Sequence, residues 1–143
     1  MARLSREDYY DIADNFAKAS AAVLDFRVRN KDNLSAKDRD QLERFEDELD
    51  HQVVMFRNYG ITISGNDADK AQIDLNQAVN EAKAVIDKIN VIKETIELAA
   101  SLLTLASAIV SVDVDGIFSA IKGVKDAIKS AQNAENSAVA AST

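Results

Sequence analysis

Apolar residues recur along this chain at intervals of three and four, and the recurrence persists over four long stretches. The first reaches from Arg6 to Asn30. Tyr9, Ile12, Phe16, Ala19, Val23 and Phe26 alternate in steps of three and four, which places them on one face of an α-helix. Ser5 with Asp8 resembles a capping box in which Asp stands for the preferred Glu. A polar turn, Asn30 to Asn33, follows. The second stretch, Ala36 to Asn58, begins with Ser35 as N-cap and Asp38 at the box position. Its stripe is Leu42, Phe45, Leu49, Val53 and Phe56. Gly60 suits a left-handed residue after a helix. Ile61 to Gly65 alternates and is β-branched but short, so it predicts an extended connector with its isoleucines tucked against the helices.

The third stretch begins at Asn66 or Asp67 and reaches Val112 without Pro or Gly. Leu75, Val79, Ala82, Ile86, Ile89, Ile96, Leu103, Ala106 and Val110 fit one heptad seam, with Lys93 at one seam position. Unbroken, roughly 43 residues span about 65 Å, nearly twice either earlier helix; a break near Asn90 is the alternative. The fourth stretch follows Val112 to Gly116 and carries Ile117, Phe118, Ile121, Val124 and Ile128. From Glu135 onward the chain is mostly Ala, Ser, Asn and Thr, which predicts a disordered tail over 135–143. Residues 1–134 read as a single domain without repeats or an interior linker. The expected architecture is all-α: an antiparallel bundle of four helices with an extra-long third helix. Phe16, Val23, Phe45, Leu49, Ile86, Ile89, Leu103 and Ile121 are its expected core.

Composition narrows the chemistry. The 143 residues include no Cys, Pro or Trp and a single His. Thiol catalysis, disulfides, Cys-based zinc sites and iron–sulfur clusters are thereby excluded. Lys plus Arg number 17 against 24 Asp plus Glu, a net charge of -7. That balance opposes non-specific nucleic-acid binding, which needs a basic stripe. Arg27, Arg29 and Lys31 read instead as cations at a helix C-terminus, where they suit the dipole. The first residues lack the apolar run of a secretory signal, so the sequence reads as cytoplasmic, with signal-independent secretion left open.

Few motifs point to a site. Glu48–Leu49–Asp50–His51 has the Glu-x-x-His spacing of di-iron bundles, but such a site needs two such motifs and the chain has one His. His51 is expected to be a surface residue among Asp47, Glu48 and Asp50. Ser111, Asp113, Asp115 and Gly116 echo a calcium loop, yet Lys122 stands where the bidentate Glu is required. Asp113 or Asp115 reads better as the cap of the last helix. Tyr9 and Tyr10 suggest one packed ring and one at the rim. The glycines at 60, 65, 116 and 123 never cluster as in a phosphate-binding loop. No Ser lies in a nucleophile motif with His51. A non-enzyme without metal or cofactor is the expectation.

One segment stands apart. Leu98 to Val112 contains 15 residues without a charge, and no Lys or Arg occurs between Lys93 and Lys122. It is shorter than the roughly 20 apolar residues of a membrane span. Its Ala and Ser residues permit close helix approach. A central helix of the bundle, a face for a protein partner or second copy, and a membrane-inserting element all fit. The stretch from Ile86 to Ile128, an amphipathic helix, an uncharged segment and a returning helix, resembles the apolar hairpins of α-helical pore-forming toxins. Lys122, Lys125, Asp126 and Lys129 on its returning side depart from that pattern. The expected function is a non-catalytic helical interaction or assembly module that binds protein or forms a homo-oligomer. The alternative is a membrane-active or lipid-associating protein of the toxin-component type. The candidate residues are Leu98, Leu102, Leu103, Leu105, Ile109, Val110, Ile117, Phe118 and Ile121.

Overall fold

The computed structural model describes residues 2–3, 6–59, 64–65, 67–110 and 114–142, with side chains over 12–58, 67–110 and 114–139. Five α-helices occur among the described residues: α1 (Arg6–Arg29), α2 (Ala36–Tyr59), α3 (Ala68–Lys88), α4 (Ile92–Val110) and α5 (Val114–Ser142). A single 3-10 turn, Lys31–Asn33, joins α1 to α2. Two short strands, β1 (Ala2–Arg3) and β2 (Ser64–Gly65), pair antiparallel. The all-helical expectation holds. The bundle of four helices with an extra-long third helix is corrected, because the seam expected to run unbroken from residue 67 to 112 is two helices.

Local chemistry explains the ends. Ser35 caps α2: the Asp38 amide donates to its Oγ at 3.0 Å. Asn30 is buried at the end of α1, and its backbone and side-chain amides both donate to the Phe26 carbonyl, at 3.0 and 3.1 Å. Asp67 precedes α3 but makes no side-chain cap bond, which corrects its expected role; the Asn66 alternative, the Ser5–Asp8 box and Gly60 lie outside the described residues. Helix α5 starts at Val114, so Asp115 and Gly116 are already helical and are not part of a calcium loop. The helix continues through 135–142, the stretch whose composition reads as a tail.

Contacts between elements give the direction of each helix. Phe16 packs on Phe56 with ring centroids 5.9 Å apart, and Arg57 pairs with Asp14 at 2.6 Å, so α1 and α2 are antiparallel. Asn15 donates to Asn76 at 2.8 Å, and Arg29 reaches Ile86 at 3.0 Å, so α3 runs parallel to α1. Helix α4 therefore turns back, lying against α2 and antiparallel to α5. In cross-section the order is α1, α2, α4, α5, α3, with α3 beside α1 again.

The reversal occupies 89–91 and contains no Gly. Ile89 leaves α3 in extended backbone, with φ -99 and ψ 161. Arg29 caps the orphaned carbonyls of α3, donating to Ile86 O at 3.0 Å and Ile89 O at 2.9 Å, and to Asn90 Oδ1 at 3.2 Å. Glu135 of α5 accepts from the Asn90 amide at 3.0 Å. Ile89, Val91 and Ile92 are β-branched, and Asn90 competes for local hydrogen bonds, so this is the weakest helical stretch of the seam.

The core gathers Ile12, Phe16, Val23, Phe26, Leu42, Leu49, Phe56, Leu75, Ile86, Leu98, Leu102 and Leu105, among others. Phe16, Val23, Leu49, Ile86, Ile89 and Ile121 are buried as expected, whereas Phe45 and Leu103 are only half-buried at its edge. Beside Phe45, the buried carboxylate of Glu46 takes a two-pronged hydrogen bond from Arg27, at 2.7 and 3.1 Å. That bond, with the neighbouring Glu43 and Asp47 charges, raises the Arg27 pKa further.

Candidate functional site

The uncharged stretch of α4 divides into three sides. Leu98, Leu102, Leu105 and Ile109, spaced four, three and four, are fully buried, with Thr95, Ala99 and Ala106 beside them. Opposite them on α5, Ile117 and Ile121 are also buried. Six of the nine candidate residues therefore lie inside the bundle. Leu103, Val110 and Phe118 are half-buried. Phe118 is partly covered, since the Lys70 ammonium lies 5.1 Å from its ring centroid.

Apolar surface also remains on the side of α4 next to α2. Ile92, Ile96, Leu103 and Val110 are all half-buried and lie four, seven and seven residues apart. At 3.6 residues per turn this row sits about 120° round the helix from the core stripe. Three of its members, Ile96, Leu103 and Val110, continue the heptad phase of α3 beyond the turn. The turn rotates the core face of α4 away from that phase, so Ile96, Leu103 and Val110 come to lie at a rim, while Ala106 of the same seam stays buried.

Two cavities lie along the α2–α4 groove beside this row. One, about 430 Å³, is lined by Lys37, Asp38, Gln41, Ile92, Lys93, Ile96 and Glu97. The other, about 270 Å³, is lined by Arg44, Asp47, Glu48, His51, Gln52, Leu103 and Ser107. The groove thus has an apolar floor and a rim of mixed charge. In the second cavity Gln52 Oε1 is buried and meets no hydrogen-bond donor among the described residues. Such an acceptor costs free energy unless something donates to it.

The third side, between α4 and α5, is a shallow cleft of about 360 Å³ lined by Ser101, Thr104, Ala108, Gly116, Ser119, Ala120 and Gly123. Ser101 and Thr104 turn their hydroxyls onto their own helix, donating to Leu98 O at 2.7 Å and Ala100 O at 3.1 Å. A Cβ added at Gly123 meets nothing within 4 Å.

The motifs weighed for chemistry do not converge. His51 is exposed at the lip of the α2–α4 groove. Among the described residues no group of three or more His, Asp and Glu side chains is arranged to hold a metal ion. No described helix is long and apolar enough to cross a membrane. Tyr9, Tyr10, Ser111 and Asp113 lie outside the described side chains. Sequence reasoning missed Gln52, Gln41, Ile92 and Ile96 as groove residues. The signal available for Ile96 was the seam itself, which continues beyond the residue where α3 ends. No protein-family model matches this chain, and no characterised protein or solved structure is significantly similar to it.

Proposed function

We propose that this chain is a non-catalytic helical interaction module that binds protein along the α2–α4 groove. The observation that supports it most is the row Ile92, Ile96, Leu103 and Val110, left half-covered after α4 has filled the core with a different face. Isolated exposed apolar residues are ordinary. A heptad-spaced row beside a groove is what a second helix packs onto. These side chains are already partly buried, so covering the remainder adds about 1 kcal/mol or less each, a part of the roughly 1.5–3 kcal/mol for burying such a side chain outright. The charged rim supplies register and partner choice.

A photoreactive side chain placed at Leu103, with a control at exposed Ile73, tests the reading. Discrete protein adducts from position 103, and none from position 73, are expected on illumination of the intact chain in extract or alone. Equal labelling from both positions, or none from 103, removes it. Vesicle binding that is lost in Leu103→Asp, without any protein adduct, replaces it with membrane association.

A further inference from the structure

The described helices divide into two groups that the chain joins only once. Helices α2 and α3 both pack on α1, and α4 packs on α5. Between the groups the contacts are chiefly α2 on α4 and α3 on α5. The first group comes entirely from residues before Ile89 and the second entirely from residues after Val91. The turn 89–91 is therefore their sole covalent link. One short link between two packed parts is what reciprocal exchange between copies of a chain requires.

Nothing local forces the chain to reverse there. The turn contains neither Gly nor Pro, and the heptad seam of α3 runs through it to Ile96, Leu103 and Val110. Its β-branched residues and Asn90 weaken a helix far less than Gly or Pro would. The groups that hold the reversal come from outside it. Arg29 donates to the Ile86 and Ile89 carbonyls, and Glu135 accepts from the Asn90 amide. In a continuous helix each of these three turn groups has a backbone partner instead. The Asn90 amide donates to Ile86 O and the Lys93 amide donates to Ile89 O, four residues back in each case. Straightening the turn thus leaves none of the three unpaired.

We infer that the α3–α4 turn is an exchange hinge, across which two copies of this chain trade their α4–α5 pairs. In the exchanged dimer, 68–110 forms one helix of roughly 65 Å. A helix that long carries α4 and α5 beyond the reach of their own α2 and α3. It divides the hydrophobic core to which all the described helices contribute, and a lone chain does not sustain apolar faces of that size in water. A second copy opened in the same way offers the identical α2 and α3 surfaces, so the contacts of the closed bundle are rebuilt between chains. The inference is independent of the groove reading, because exchange rebuilds the α2–α4 groove from two chains and covers none of it.

Refolding from urea at micromolar to millimolar concentration, followed by light scattering after dilution, reads the exchange. The dimer share rises with refolding concentration and persists on dilution, since chains that have traded helices separate only by opening again. Ile89 already has the extended backbone, φ -99 and ψ 161, that a residue before proline prefers. Asn90→Pro therefore fits the closed turn, losing only the exposed bond to Glu135. In the straight helix it removes the bond to Ile86 O and clashes with that carbonyl, so it weakens the dimer at least about a hundredfold while the monomer keeps its circular dichroism. Arg29→Ala loosens only the closed turn and strengthens the dimer at least about tenfold. The chain has no Cys, so Ile73→Cys with Ser107→Cys places two spin labels at exposed positions. Doubly labelled chain is refolded with excess unlabelled chain, so that only the distance within one chain is read. That distance is about 50 Å along the straight helix, against roughly 20–30 Å across the closed hairpin. A monomeric mass after refolding at every concentration overturns the proposal, as does a dimer that tolerates Asn90→Pro or keeps the shorter distance. Should Asn90→Pro fail to fold, the distance decides.

Discussion

The turn between α3 and α4 is the point where sequence periodicity and structure part, and Arg29 is the residue to remove there. Its guanidinium donates to Ile86 O, Ile89 O and Asn90 Oδ1 at 3.0, 2.9 and 3.2 Å, and its Cζ lies 5.6 Å from the centroid of the Phe26 ring. A charged donor to a carbonyl is worth about 1.5–3 kcal/mol when sheltered, and less where water can replace it. Arg29 is exposed and its two carbonyl bonds are partly buried, so the lower part of that range applies to the set. Adding about 0.5 kcal/mol for the ring contact, Arg29→Ala costs about 2 kcal/mol. Global stability for a chain of this length is of order 7–20 kcal/mol, so the variant stays folded. Urea unfolding reads the loss. Amide exchange locates it, because protection at Ile89 and Asn90 falls about 30-fold if the turn opens locally. Arg29→Lys is intermediate, since a single ammonium does not reproduce the planar fork. A loss below about 0.5 kcal/mol with unchanged protection refutes the reasoning, and packing of Ile89 would then hold the turn.

Five further substitutions test the phase of α4, the edges of the core and the α4–α5 cleft. Leu102→Asp places an unpaired charge among fully buried side chains and unfolds the chain, whereas Leu103→Asp, one residue on, leaves the helical circular dichroism intact; equal behaviour shows the phase to be wrong. Phe16→Ala costs about 3–5 kcal/mol, as a buried ring packed on Phe56 should, while Phe45→Ala costs about 1–2 kcal/mol because its ring is half-buried at the core edge. Chemical unfolding of both variants should preserve that order. Gly123→Ala raises stability by about 1 kcal/mol, or about 3 °C in melting temperature, because the added methyl meets open space and the helix loses its most flexible residue; a lower melting temperature shows that the cleft is narrower than it looks.

Much of the fold was legible from spacing alone. The stripes of α1 from Ile12 to Phe26 and of α2, apart from the half-buried Phe45, are buried because each helix is amphipathic and bounded by a polar turn. Ser35 announced its helix by chemistry, and the structure supplies the bond. The reversal at 89–91 was harder to read because nothing in the usual punctuation marks it. Its stop signals are distant in sequence: Arg29 lies 60 residues before Ile89, and Glu135 lies 45 residues after Asn90. Local propensity around Ile89, Asn90 and Val91 is weak for helix, but weak propensity ends a helix only where another element takes up the exposed carbonyls and amides. The break near Asn90 could be kept as an alternative from sequence; the polar groups that hold it come from α1 and α5.

The candidate surface was legible for a related reason and misplaced for the same one. An uncharged segment shows that several sides of a helix are covered or held close to other helices, but not which side faces the core. Heptad continuation selected Ile96, Leu103 and Val110 as seam residues. Had α3 and α4 been one helix, those positions would share the buried face of Leu75, Val79 and Ile86. The turn removes that constraint, and Leu98, Leu102, Leu105 and Ile109 take the core instead. The displaced row is thus apolar for a reason that the closed bundle leaves unused. Intramolecular packing already explains Leu98, Leu102, Leu105, Ile109, Ile117 and Ile121, so their apolar character says nothing about a partner. Among the large apolar residues of α4, Leu103 and Val110, with Ile92 and Ile96, are the positions where a polar residue would cost the monomer least. Their apolar side chains therefore carry the weight of the proposal that another helix covers them.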